Sequence, residues 1–140
     1  MSRFRKGKSG SPFTQLYTWL LQSAAWRDLD PVARALYVEL RMRFTGFNNG
    51  SIGLGVREAS KDLNVSAATV SRAFQALIDH GFVRIASEST FDQKRLTREW
   101  LLTELPDDRT GHKASKDFMS WRPPTEPQAT NVVRLRRAAA

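Results

Sequence analysis

Residues 64–83 read NVSAATVSRAFQALIDHGFV. Val70, Phe74, Leu77 and Ile78 recur at helical spacing and make one apolar stripe. Ser66 precedes the stripe as an N-cap, its hydroxyl free to accept an early backbone N–H. Gly81 stands where a helix end needs the left-handed conformation. At ~100° per residue, with Val70, Phe74 and Leu77 inward, Ala68, Ser71, Arg72 and Gln75 point outward and Thr69 lies on the flank. A helix that presents small and hydroxylated residues around one arginine needs a purpose, and the flanking sequence narrows it.

Towards the N-terminus, Asn64 and Val65 form a tight turn, with Val65 as its apolar plug. Before it, Val56–Leu63 predicts a short helix with Val56, Ala59 and Leu63 inward and Arg57, Glu58, Lys61 and Asp62 outward. GFNNGSIGLG is turn chemistry, in which Asn and Gly tolerate positive φ, followed by a short strand carrying Ile52 and Leu54. DLDP starts a helix, with Asp30 as cap and Pro31 in the first position. It runs through Val32, Leu36, Leu40 and Phe44 to a stop before Gly46, and Tyr37 and Val38 widen its apolar surface, so it is expected to be central. Phe13, Leu16, Tyr17, Leu20, Leu21 and Ala24 predict a further amphipathic helix over 13–25, capped by Ser11 with Pro12 in its first turn.

Towards the C-terminus, Phe82, Val83 and Ile85 open a strand, SESTFDQKR is a polar loop, and LTREWLLTEL predicts a longer strand ending before Pro106. The two strands make a β-hairpin. Residues 107–122 are polar but keep Phe118, Met119 and Trp121, and are expected to pack on the domain as an extension of the 11–106 unit. Residues 1–10 read as a flexible basic arm, and 123–140 as a disordered basic tail.

A chain of 140 residues, 41% hydrophobic and 26% charged, fits one soluble domain. It has no cysteine, which excludes disulfides and thiolate metal sites and agrees with a cytoplasmic location. FTQLYTWLLQSAAW carries Gln and Ser at polar-face spacing, so neither a signal peptide nor a membrane span is expected. The net charge of +8 sits at the ends: Arg3, Arg5, Lys6 and Lys8 give +4, and residues 109–140 give +5, leaving −1 for residues 11–108. The charge suggests a polyanionic partner, but the near-neutral middle does not by itself show one.

Catalysis has little support. His80, in a last helical turn, and His112, in a polar loop, are far apart, and neither meets a paired carboxylate or cysteine at metal-ligand spacing. No phosphate-cradling GxxxxGK[ST] occurs, and SIGLG is too short for a dinucleotide fingerprint. No enzyme, metal or cofactor is therefore expected.

Helix, helix, short strand, helix, tight turn, helix, strand, loop, strand is the order of a winged helix-turn-helix. The expected class is mostly α with a small β-hairpin (α+β), here with an extra N-terminal helix. In that arrangement helix 66–80 enters the major groove of double-stranded DNA and loop 87–95 is the wing. Arg72 matches guanine and Gln75 adenine. Ser66, Thr69 and Ser71 suit phosphate or base contacts, and Ala67 and Ala68 permit close approach. Arg57 on the preceding helix, and Lys94 and Arg95 in the wing, suit phosphate.

LGVREASKDLNVSAATVSRAFQALIDHGFVR resembles the winged helix-turn-helix of many bacterial regulators and replication-associated proteins. With SAAWRDLDPVARALYVEL, FNNGSIGLGVREAS, EWLLTEL and ASKDFMSW, the likeness extends over about residues 13–122, to small helix-turn-helix proteins of proteobacterial plasmids, phages and integrative elements. The resemblance implies DNA binding by the 66–75 helix and the wing, and that 107–122 belong to the folded unit. Ala67 and Ala68 depart from the polar or basic residues frequent in related helices, which lowers the expected base readout.

The expected role is a transcriptional regulator of a mobile element, nucleoid-associated, with homodimerisation through helix 13–25 as one option. The alternatives are a replication or excision accessory protein, and a winged-helix protein-interaction module that binds a partner through Phe118 and Trp121.

Overall fold

The central helix starts as its caps dictate: Asp30 Oδ1 accepts the Ala33 N–H at 2.8 Å and Pro31 occupies the first turn. The computed structural model describes residues 11–87 and 98–124. Along it, α1 is Thr18–Leu21, α2 is Ala24–Asp28 and α3 is Pro31–Met42. Next come β1 (Ile52–Gly53), α4 (Val56–Leu63), α5 (Ala67–Asp79), β2 (Val83–Ser87) and β3 (Glu99–Leu102), then a 3₁₀ turn at Asp117–Ser120. The class is α+β. The strands form one antiparallel sheet in the order β1-β3-β2, with Ile52 opposite Trp100 and Val83 opposite Leu102.

α3 is central, burying Ala33, Leu36, Tyr37, Leu40 and Arg41. α5 packs across it through Val70, Ala73, Phe74 and Leu77. Phe74 lies flat on Trp100, ring centroids 4.5 Å apart, and joins the helices to the sheet. Such a pair contributes ~0.5–1.5 kcal/mol beyond its buried area. Trp100 also spends its indole N–H on Leu54 O at 3.0 Å, so its one polar atom is satisfied in the core.

The predicted helix over 13–25 is not one helix. Residues 11–17 are not helical, and Ser11 and Pro12 start nothing. α1 begins after Tyr17, and the chain breaks again at Gln22–Ser23 before α2. Ser23 causes the second break: its hydroxyl donates to Leu20 O at 2.7 Å and accepts from Trp26 N at 3.1 Å, closing one helix and capping the next. At Tyr17 distant residues also take part, Arg41 lying over its ring at 5.8 Å and Phe118 stacking on Trp19 at 6.0 Å. The Tyr17 ring stacks on Trp19 at 5.2 Å, two positions away, a pairing that a continuous helix cannot make.

The predicted strand ending before Pro106 is also shorter, because the backbone turns at Thr103–Leu105. Thr103 N still donates to Phe82 O at 3.0 Å, but the turn swings Glu104 inward. There its Oε2 accepts the Tyr37 hydroxyl at 2.5 Å and Arg41 Nε at 2.8 Å, tying the sheet to α3. In GFNNG the positive φ falls on Gly46 and Gly50 rather than on asparagine. Asn49 is instead buried, its amide exchanging hydrogen bonds with Leu102 N and O and donating to Leu105 and Pro106 carbonyls.

Residues 113–122 form a strap. Phe118 is 0% exposed, stacked on Phe82 at 4.8 Å. Asp117 takes both ends of the Arg84 guanidinium at 3.0 and 3.1 Å. Trp121, half-buried, stacks on His80 at 4.6 Å. The Phe118 ring thus belongs to the core. Residues 1–10, the hairpin loop 88–97 and residues 125–140 lie outside the described residues.

Candidate nucleic-acid interface

The turn before α5 is set by two residues. Asn64 takes the left-handed conformation, φ 59°, and Ser60 Oγ donates to Val65 O at 2.6 Å, holding the half-buried Val65 against the core. Ser66 then caps α5, its Oγ accepting the Thr69 N–H at 3.1 Å. At the far end His80 closes the helix and Gly81 turns left-handed at φ 84°.

With its apolar stripe on α3, α5 leaves Ser66, Ala67, Ala68, Ser71, Arg72 and Gln75 exposed and Thr69 half-buried. No described part of the chain covers that face. Arg72 Nη2 donates to Thr69 Oγ1 at 3.3 Å, and Ser66 Oγ donates to the same oxygen at 3.0 Å. Gln75 is not free as expected: its Nε2 donates to Asp79 Oδ1 at 2.9 Å. Asp79 carries no sequence signal beyond its i,i+4 spacing to Gln75, and sequence reading missed its place beside this face.

α4 separates its charges by row. At ~100° per residue Arg57 and Lys61 share one edge of the helix, and Glu58 and Asp62 the next. The acidic row meets Arg43 at the end of α3, whose Nη2 lies 2.7 Å from Asp62, 3.4 Å from Glu58 and 3.7 Å from Glu39. Among the described residues Arg57, Lys61 and Arg72 make no ion pair, and all three are exposed. The near-neutral middle of the sequence thus hides a local cationic edge. Lys61, outward in the sequence reading but outside the expected site, belongs to it.

Lys94 and Arg95, and the basic arm and tail, fall outside the described residues. His80 bridges Ala76 O and Asp28 Oδ2, each at 2.8 Å, and His112 Nδ1 lies 2.9 Å from Thr110 Oγ1. Among the described residues no three His, Cys, Asp or Glu side chains form a cation-sized cluster, and no helix is long and apolar enough to cross a membrane. Compared with protein-family models, curated proteins and solved structures, the chain matches none.

Proposed function

We propose that this chain is a duplex-DNA-binding protein of winged helix-turn-helix architecture, acting as a transcriptional regulator. In this reading α4, the Asn64–Ser66 turn and α5 are the helix-turn-helix, α5 is the groove-entering helix, and the hairpin between β2 and β3 is the wing. The observation that carries it is the uncovered α5 face. Small residues at its start let a groove close around it, Arg72 stands on its outward line, and Arg57 and Lys61 are left as unpaired cations on α4. A core helix with merely solvated polar residues has no need to keep alanines at 67 and 68 exposed while α4's acids are gathered onto Arg43.

Selection of bound fragments from a random duplex pool at physiological salt tests this. Retention of duplex, with log affinity falling linearly in log salt, is expected, at a slope of about −0.9 per phosphate neutralised. Charge reversal at Arg57 and Lys61 should weaken all sequences alike and flatten that slope. A chain that retains no duplex above background at low salt overturns the proposal.

A further inference from the structure

Resting on the DNA reading above, we infer that α5 reads a single base, a guanine, through Arg72, with Thr69 as its positioning residue and Asp79 withholding Gln75 from base reading. Ser66, Thr69 and Arg72 follow one another at three-residue spacing and stack along one side of the helix. The cap fixes Ser66. Ser66 Oγ and Arg72 Nη2 both donate to Thr69 Oγ1, at 3.0 and 3.3 Å.

Counting hydrogens decides what this ladder offers. Ser66 spends its hydrogen on Thr69 and a lone pair on the Thr69 N–H. Thr69 Oγ1 accepts twice and keeps its own O–H. Arg72 spends one of its five N–H groups. At Thr69 and Arg72 what remains is donors alone, the Thr69 hydroxyl hydrogen and the rest of the guanidinium, while Ser66, at the cap, keeps one lone pair. In the major groove guanine presents two adjacent acceptors, N7 and O6, whereas adenine sets a donor beside its acceptor. The donor-only pair of Thr69 and Arg72 matches guanine. The tie to Thr69 also restricts an otherwise free side chain before binding, so less rotamer freedom is lost when the base is met.

Gln75 is held differently. Bidentate reading of adenine needs its amide N–H and its carbonyl oxygen side by side on one base edge. Asp79 takes one of the two amide hydrogens at 2.9 Å, so turning the amide onto a base edge competes with that bond. Asp79 lies on the same outward line as Ala68 and Arg72, and its carboxylate makes no ion pair among the described residues. A carboxylate there repels acceptor-rich base edges and phosphates. The alanines at 67 and 68 have no polar atom to add.

The test is pool selection with the full chain and with four variants: Arg72→Ala, Thr69→Val, Asp79→Ala and Asp79→Ala combined with Gln75→Ala. The natural chain should return one invariant guanine per bound protein. Arg72→Ala should lose preference at that position and still retain duplex. Thr69→Val, which keeps the branched shape, should lower the guanine preference there at least three-fold. Preference at one position, relative to the rest of the site, does not move with fold stability. Asp79→Ala should add an adenine preference at a neighbouring base pair, and the double variant should lose it. An unaltered guanine preference in Thr69→Val, or a natural consensus containing an adenine, overturns the inference. Duplex bound without any sequence preference overturns it too while leaving DNA binding intact. No duplex retained by any variant overturns the DNA reading and the inference together.

Discussion

Glu104→Gln is expected to be among the most damaging single changes that preserve side-chain shape. The Glu104 side chain is fully buried, and its Oε2 takes the Tyr37 hydroxyl at 2.5 Å and Arg41 Nε at 2.8 Å. Arg41 is itself 6% exposed, its guanidinium lying over the Tyr17 and Phe44 rings at 5.8 and 5.4 Å. The amide removes the counter-charge and leaves a cation in the core. One-sided loss of a buried ion pair costs about 3–5 kcal/mol. Because an amide oxygen in the place of Oε2 can still accept both hydrogen bonds, we expect the lower end, about 3 kcal/mol. Against a total stability of about 5–15 kcal/mol that is a large fraction. It lowers Tm by roughly 12 °C or more in a domain of this size. Urea titration followed by tryptophan fluorescence reads it, since Trp26 and Trp100 are buried reporters. Removing all three polar groups at once, as Arg41→Met, Tyr37→Phe and Glu104→Leu together, leaves no orphan and should recover at least half of the loss. A Glu104→Gln loss under about 1 kcal/mol, or a triple variant less stable than the single one, would refute this account.

Alkaline pH should probe the same cluster. Burial, then the charge and hydrogen bond of Glu104, hold the Tyr37 hydroxyl well above its ordinary value of 10.0, with Arg41 acting in the opposite sense. Above about pH 10 the unfolded chain therefore binds fewer protons than the folded one, so stability is intact below that pH and falls as pH rises. Urea midpoints between pH 9 and 11 should decline, and Tyr37→Phe should flatten the decline; equal slopes would count against it. The strap should be integral to the fold. Phe118→Ala removes a fully buried ring and should cost about 3–5 kcal/mol by the same titration. A Cβ on Gly81, at φ 84°, would lie 2.8 Å from Phe118 N and 2.9 Å from Asp117 C. Gly81→Ala should therefore cost about 1–3 kcal/mol and expose Trp121 to collisional quenchers. A near-neutral Gly81→Ala would mean that the strap yields freely.

What could be read from the sequence was what neighbours in the chain decide among themselves. Asp30-Pro31, Ser66 and Gly81 mark helix limits because caps and left-handed turns are settled within a few residues, and the stripe Val70, Phe74, Leu77 gave α5 its orientation by period alone. The outward set around Arg72 follows from that period. Which side chains pair with one another was not legible, whether near in the chain or far apart. The Tyr17–Trp19 stack and the Ser23 cap divide a segment whose apolar spacing suits one helix. Glu104 and Arg41, 63 positions apart and without any sequence signal that joins them, meet in the core. Gln75 reads as an outward amide until Asp79 is seen to hold it, and Glu58 and Asp62 read only as outward acids until Arg43 gathers them. Periodicity states which side of an element is apolar; only packing decides which polar atoms are left over, because a hydrogen bond or a counter-charge can be spent by any residue that the fold brings within reach.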